Sequence, residues 1–157
     1  MAYRLSRNIE ASIVDYLTIE LATDGWTGIR VEKVFANVYK GKLPCICVNI
    51  FTRPDTRREL GTNALNKFVN IEIRIFATTD GQRLDLADWL LEKIMPGIPY
   101  NEYNITNGAV SSKVLKGRIN ILEIIQNRKE LANLEGLELA DKFRHLLSLR
   151  CKVATTI

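Results

Sequence analysis

Few residues in this chain have the side-chain chemistry of a nucleophile or a base. There is one histidine, His145, set in Asp141-Lys142-Phe143-Arg144-His145, and there are three cysteines, Cys45, Cys47 and Cys151. A general base needs a nucleophile or an orienting partner within hydrogen-bond reach. Cys151 is the candidate nucleophile for His145, but it sits in an alternating strand pattern that reads as core. Cys45 and Cys47 stand two apart in an apolar run, so on a strand they share one face. They read as small buried hydrophobes. An odd cysteine count argues against a closed disulfide framework. No CxxC and no Cys/His grouping has zinc spacing.

Paired carboxylates can hold a metal or share a proton. Asp85 and Asp88 stand three apart on a predicted helix, and Glu135 and Glu138 repeat the spacing. Without an HExxH, EF-hand or ExxH arrangement they read as solvating charges or partners for arginines. Gly25-Trp26-Thr27-Gly28 has the spacing of a KH loop, but strand-like residues follow where that fold needs a helix. No GxxxxGK[ST] phosphate loop is present. The sequence therefore predicts no catalytic residue, no metal site and no cofactor.

The charged stretch Arg53-Pro54-Asp55-Thr56-Arg57-Arg58-Glu59 joins two strong strand patterns. It has two readings: a solvated loop, or a salt-bridging arm that meets a neighbouring subunit. Guanidinium forks pair bidentately with carboxylates, which suits a recurring interface. The exposed row Asn70, Glu72 and Arg74 on the next strand extends the same surface. The candidate interface residues are Arg53, Asp55, Arg57, Arg58, Glu59, Asn70, Glu72 and Arg74.

The elements that would position these residues follow from periodicity. Ser6 is a suitable N-cap, and Ile9, Ile13, Tyr16 and Leu17 follow at helical spacing, predicting a helix over 7–22. Strands are predicted at 28–36, 45–51, 68–77, 117–125 and 146–153. Gly41-Lys42 reads as a turn. The clearest strand is 68–77, where Val69, Ile71, Ile73 and Ile75 alternate with Asn70, Glu72 and Arg74. Thr79 or Asp80 caps a second helix over 81–95, with Leu84, Ala87, Leu91 and Ile94 as its apolar stripe, joined by Leu90. Pro96-Gly97 ends it. The stretch 98–116 has no steady period and reads as a long loop, with Asn107-Gly108 able to turn a hairpin inside it. Segment 126–141 is ambiguous, because Gly136 weakens the helical spacing of Leu131, Leu134 and Leu139.

Short connections between the first strands favour antiparallel neighbours. The expected fold class is α+β: a single, mostly antiparallel sheet of about five strands with two amphipathic helices packed on one face. Ile9, Ile13, Leu17, Leu84, Leu91, Val69, Ile71, Ile73 and Ile75 are expected in the core.

The chain has 157 residues, 46% hydrophobic and 25% charged, which suits one domain spanning 1–157. Twenty-two basic and 18 acidic residues leave a net charge of +4. The two signs alternate along the chain, so the pI of about 9.0 is compatible with contact with nucleic acid without pointing to a dedicated binder. Arg4 and Arg7 interrupt the first apolar residues, so no secretory leader is expected. No apolar run has membrane-spanning length, and a cytoplasmic location is the default expectation.

The layout resembles a known family. An N-terminal amphipathic helix precedes three strands. Leu60-Gly61 and the strand Phe68-Val69-Asn70-Ile71-Glu72-Ile73-Arg74-Ile75-Phe76-Ala77 follow, leading through Thr79-Asp80-Gly81 into the second helix. The chain closes with Arg144 and the alternating strand to Val153. This order of elements resembles the tail terminator (tail completion) proteins of long-tailed bacteriophages. The resemblance implies a structural, non-enzymatic virion protein, assembled in the host cytoplasm. It implies a homohexameric ring that caps the tail tube protein and docks to a neck or head-closure protein, with viral DNA passing through its channel. Two further readings stand beside it: a small nucleic-acid-binding module using the Arg53–Arg58 loop, or another head-tail connector, and a small enzyme using His145 or a cysteine.

Overall fold

The computed structural model describes residues 4–33, 35–57, 65–130 and 143–155. Helix α1 spans Leu5–Thr23 and α2 spans Asp80–Ile94. The strands are β1 (Arg30–Glu32), β2 (Cys45–Thr52), β3 (Thr56–Arg57), β4 (Leu65–Asn66), β5 (Phe68–Ala77), β6 (Ile98–Thr106), β7 (Ala109–Lys129) and β8 (Phe143–Thr155). Six of them form one mixed sheet in the order β1-β2-β5-β8-β7-β6, and β3 pairs with β4 in a separate two-stranded ladder. The class is α+β as expected, with six strands in the main sheet where about five were predicted.

Strand β5 has the predicted bounds. Its odd positions Val69, Ile71, Ile73 and Ile75 are buried while Asn70, Glu72 and Arg74 are half-buried on the other face. The same alternation runs through its neighbours. Ile46 and Val48 of β2 stand opposite Ile75 and Ile73. Leu147, Leu149 and Cys151 of β8 stand opposite Ile73, Ile71 and Val69. One face of the sheet is thus a continuous aliphatic layer. It joins Ile9, Ile13 and Leu17 of α1 and Leu86, Leu90 and Ile94 of α2 in one core.

Helix α1 packs against β1 and β2 and also against β6, which lies at the opposite end of the strand order. The sheet therefore curls around α1, while α2 covers β5 and β8. The helices meet at their C-terminal ends. Asp24 accepts from Trp89 Nε1 at 2.8 Å and pairs with Lys93 at 2.7 Å. Tyr16 donates to the Lys93 carbonyl at 2.7 Å.

Several sequence expectations are corrected. The predicted strand over 28–36 shortens to β1, because the chain turns into a 3-10 helix, Phe35–Lys40, that tucks Val38 against Cys45, Cys47 and Phe76 on the sheet's other face. With that excursion between them, β1 and β2 run parallel, not antiparallel. Ser6 does not cap α1: the N-cap position is Arg4, where no side chain makes a capping hydrogen bond, and the Ser6 hydroxyl accepts from Arg53 Nη1 at 3.2 Å. Helix α2 is capped by Thr79, whose hydroxyl accepts from the Gln82 amide at 3.2 Å. Its buried stripe is Arg83, Leu86, Ala87, Leu90 and Ile94. Leu84, expected in the core, is 49% exposed, and Leu91 is only partly buried. The helix is rotated from the predicted stripe because Arg83 points inward to His145.

The largest correction concerns 98–116. It is not a loop but β6 and the first part of β7, joined at Asn107-Gly108, where φ values of 53° and 79° make the left-handed pair of a tight hairpin turn. The strand predicted at 117–125 is the middle of β7. Gly117 stands between Tyr100 of β6 and Thr155 of β8. A Cβ there would collide with the Ala154 carbonyl, so the close three-strand crossing needs glycine. Of the ambiguous 126–141 segment, 126–129 continue β7, and 131–141 lie outside the described residues.

Candidate subunit interface

The predicted arginine stretch follows the end of β2 at Thr52, and the chain returns to the main sheet at Phe68, the start of β5. The ladder of β3 and β4 pairs Thr56 with Asn66 and Arg57 with Leu65, so Arg57 sits in a two-stranded antiparallel ladder separate from the main sheet. Arg58 and Glu59 lie outside the described residues. At the base of the arm, Arg53 pairs with Asp55 at 2.6 Å and reaches Ser6 of α1, fixing the arm's exit direction. Among the described residues, three buried polar atoms there have no hydrogen-bond partner: Arg53 Nε, Asp55 Oδ1 and Asn70 Oδ1. Asn70 donates its amide to Thr52 Oγ1 at 2.8 Å. Buried polar groups left without partners are uncommon in finished interiors.

Asn70, Glu72 and Arg74 lie together on the face of the sheet away from the helices, as their alternation predicts. They are not free charges awaiting a partner. Arg74 pairs with Glu72 at 2.7 Å and with Glu130 at 3.2 Å, and Glu130 also takes Arg144 at 2.9 Å. Arg144 lies over the Phe76 ring at 5.3 Å. Farther along, Arg150 and Lys152 lie over Phe68 at 5.1 and 5.9 Å. The structure thus brings together the strand row.

Sequence reasoning missed the most conspicuous surface. Strand β7 leaves Val110, Val114, Leu115, Leu122, Ile124 and Ile125 exposed, from 40% to 64%. Ile125 belongs to the predicted strand, but bulges between Ile121 and Glu123 and between Ile124 and Gln126 push it out of the inward series. The Asn-Gly turn was the available signal, since a hairpin there makes both flanks strands. Where β6 and β7 pass α1, an open groove of about 240 Å³ is lined by Ser12, Asp15, Tyr16, Ile19, Lys113 and Leu115. Ser12 anchors its floor by accepting from the Asn101 amide at 2.9 Å. Tyr103 donates to Asp15 at 2.6 Å, and burial first, then this carboxylate, pushes its phenol up to about 12.

The residues considered for chemistry are engaged in the interior. His145 is 5% exposed. Arg83 Nη1 donates to its Nδ1 at 2.7 Å, which makes Nδ1 the acceptor, and Nε2–H donates to Asn127 Oδ1 at 2.6 Å. That pattern is the neutral ring. Burial, with Arg83 adding to it, holds its pKa below the ordinary value. Burial also pushes the thiols up, Cys45 to about 11 and Cys151 to about 12, with Cys47 raised as well. A reactive cysteine needs the opposite shift and access. Asp85 and Asp88 lie on α2. Glu135 and Glu138 lie outside the described residues. Among the described residues no group of three His, Cys, Asp or Glu side chains could hold a metal ion, and no helix is long and apolar enough to cross a membrane.

No protein-family model matches this chain, and no curated protein matches it.

Proposed function

We propose that this chain is a structural subunit of a phage tail terminator, forming a ring, with six copies expected, that caps the tail tube and docks to a neck protein while DNA passes through. The observation that carries the reading is β7. A strand of 21 residues that leaves Val110, Val114, Leu115, Leu122, Ile124 and Ile125 in solvent has the surface of a subunit built to assemble. The β3–β4 arm, anchored through Arg53 to Asp55 and Ser6, supports it as a projection able to reach a neighbour. The engaged His145 and the raised thiols favour a structural role over a catalytic one. Native mass spectrometry and negative-stain microscopy over a concentration series test the reading. Sixfold rings of six times the 17.9 kDa chain support it. A population that never exceeds a dimer at any concentration overturns it.

A second reading, contact with nucleic acid, is favoured by the pairing of Arg150 and Lys152 with the Phe68 ring on one sheet face, cations beside an aromatic surface. Its mark is affinity for bare DNA that falls steeply with salt.

A further inference from the structure

Strand β7 has two neighbours over only part of its length. Strand β6 pairs with it from Ala109 to Ile119, and β8 pairs with it from Gly117 to Lys129. From Asn120 onward, no other described strand lies along the outer side of β7. Residues 122–129 are all exposed there. An open strand edge offers a row of N–H and C=O groups to another extended chain.

The side chains on this edge say which chain fits. The two bulges change the count along β7, so faces must be read from its partners on β8. Glu123 stands opposite Arg150, Gln126 opposite Ser148 and Arg128 opposite Leu146. Arg150, Ser148 and Leu146 are alternate residues of β8 and share a face. Glu123, Gln126 and Arg128 therefore share one face too, with Gln126 midway between the opposite charges. Among the described residues neither Glu123 nor Arg128 has an ion-pair partner, and Arg150 opposite Glu123 is directed over Phe68 at 5.1 Å. Ile124 belongs to the other face, opposite Leu149 and 40% exposed.

We propose that the edge of β7 over 120–129 is a self-docking site, taking the same strand of a second copy of this chain, antiparallel and centred on Gln126. In that register Glu123 of each copy stands opposite Arg128 of the other, giving two equivalent cross-strand ion pairs. Ile124 of each copy is covered at the seam. A second copy carries the same bulges and the same bend, so the two edges match in shape as well as charge. The arrangement is isologous and closes on itself, because each copy uses the same stretch of edge and covers it in the other, so that stretch is not left for a third. It goes beyond the ring reading and does not rest on it: a ring needs a head-to-tail contact, which this one is not. The dimer is the form in which free subunits keep this apolar edge from uncontrolled pairing.

Charge exchange tests it. Glu123→Arg alone and Arg128→Glu alone each place like charges opposite one another twice in a homodimer. Each is expected to weaken dimerisation at least about tenfold in sedimentation velocity, since every cross-strand pair turns from attraction to repulsion. Mixing the two variants restores opposite charges at both sites, so a heterodimer of near wild-type affinity should form. Both positions are exposed, and circular dichroism checks that each variant is folded. Ile124→Lys provides a second probe and should shift the protein toward monomer. A wild-type protein that stays monomeric up to its solubility limit overturns the proposal. So does a dimer that ignores the single reversals, or variants that stay monomeric when mixed. Rings without a charge-sensitive dimer sink this proposal alone, and a charge-sensitive dimer without rings sinks the tail reading alone.

Discussion

Arg83 Nη1 lies 2.7 Å from His145 Nδ1, a cation held against a ring that must stay neutral to accept its proton. Arg83 is itself 7% exposed and is tied by Nε to Asp80 at 2.9 Å. The contact locks the N-terminal turn of α2 onto β8. Lys129 and Asp88 also bear on this corner, the first through Asp80 at 3.6 Å and the second by attracting a charged ring.

This pair makes stability depend on pH. Burial, then Arg83, holds the folded His145 below its unfolded value of 6.5. The unfolded chain therefore binds the proton first as pH falls. The stability tied to the neutral ring is fully present above 6.5 and is lost as pH drops from there through the depressed folded value. Urea unfolding at a series of pH values from 7.5 downward should show this loss, and His145→Gln should flatten that part of the profile. An unchanged slope in the variant assigns the titration to other groups.

Leu84 and Leu86 stand two apart on α2, one 49% exposed and the other fully buried. Leu86→Ala should cost about 2–5 kcal/mol, because it leaves a cavity against the sheet. Leu84→Ala should stay within about 0.5 kcal/mol. Equal losses in equilibrium unfolding would refute the rotation of the helix about Arg83. Ile73→Ala, at the centre of the sheet, belongs with the costly substitutions.

The three thiols are all buried, and those of Cys45 and Cys151 are held up to about 11 and 12. In native protein near neutral pH a disulfide reagent should react with them only as fast as the protein opens. In urea all three should react at once. The triple alanine variant should lose stability without losing assembly. Prompt labelling of Cys151 in the native state would revive it as a nucleophile.

Arg57→Glu combined with Arg58→Glu reverses two charges of the arginine stretch, in which Arg57 pairs by its backbone with Leu65. The subunit should stay folded by circular dichroism, since the main core lies elsewhere, and should fail to form rings in native mass spectrometry. Rings that persist would remove the arm from the subunit contact. Removing one partner of a close interfacial charge pair costs several kcal/mol.

The sequence made β5 legible because its alternation is unbroken and matches a half-buried strand from end to end. It hid β6 and the start of β7 because register shifts between Tyr100 and Asn101 and between Asn104 and Ile105 break the period of two. Helix α2 was legible as an element but not in rotation, since nothing local says that Arg83 turns inward to a histidine 62 positions away. The candidate interface divided the same way. Asn70, Glu72 and Arg74 were readable as one row, but Glu130, which pairs with Arg74 from 56 positions away, was not. The apolar edge of β7 was invisible as an edge, because the two bulges that expose Leu122 and Ile125 depend on pairing with β8.

The curl of the sheet around α1 also has a temporal side. Ser12 meets the Asn101 backbone across 89 positions of chain, and Asn8 accepts from the Tyr103 amide across 95. During synthesis the first helix thus emerges long before the strand that closes over it. The part of its surface that faces β6 must wait, uncovered, until β6 leaves the ribosome. Contacts this distant in sequence slow the search for the native state. A nascent chain arrested before Ile98 should consequently be a client for whatever holds unfinished chains in the cell, and a chain released after Thr155 should not.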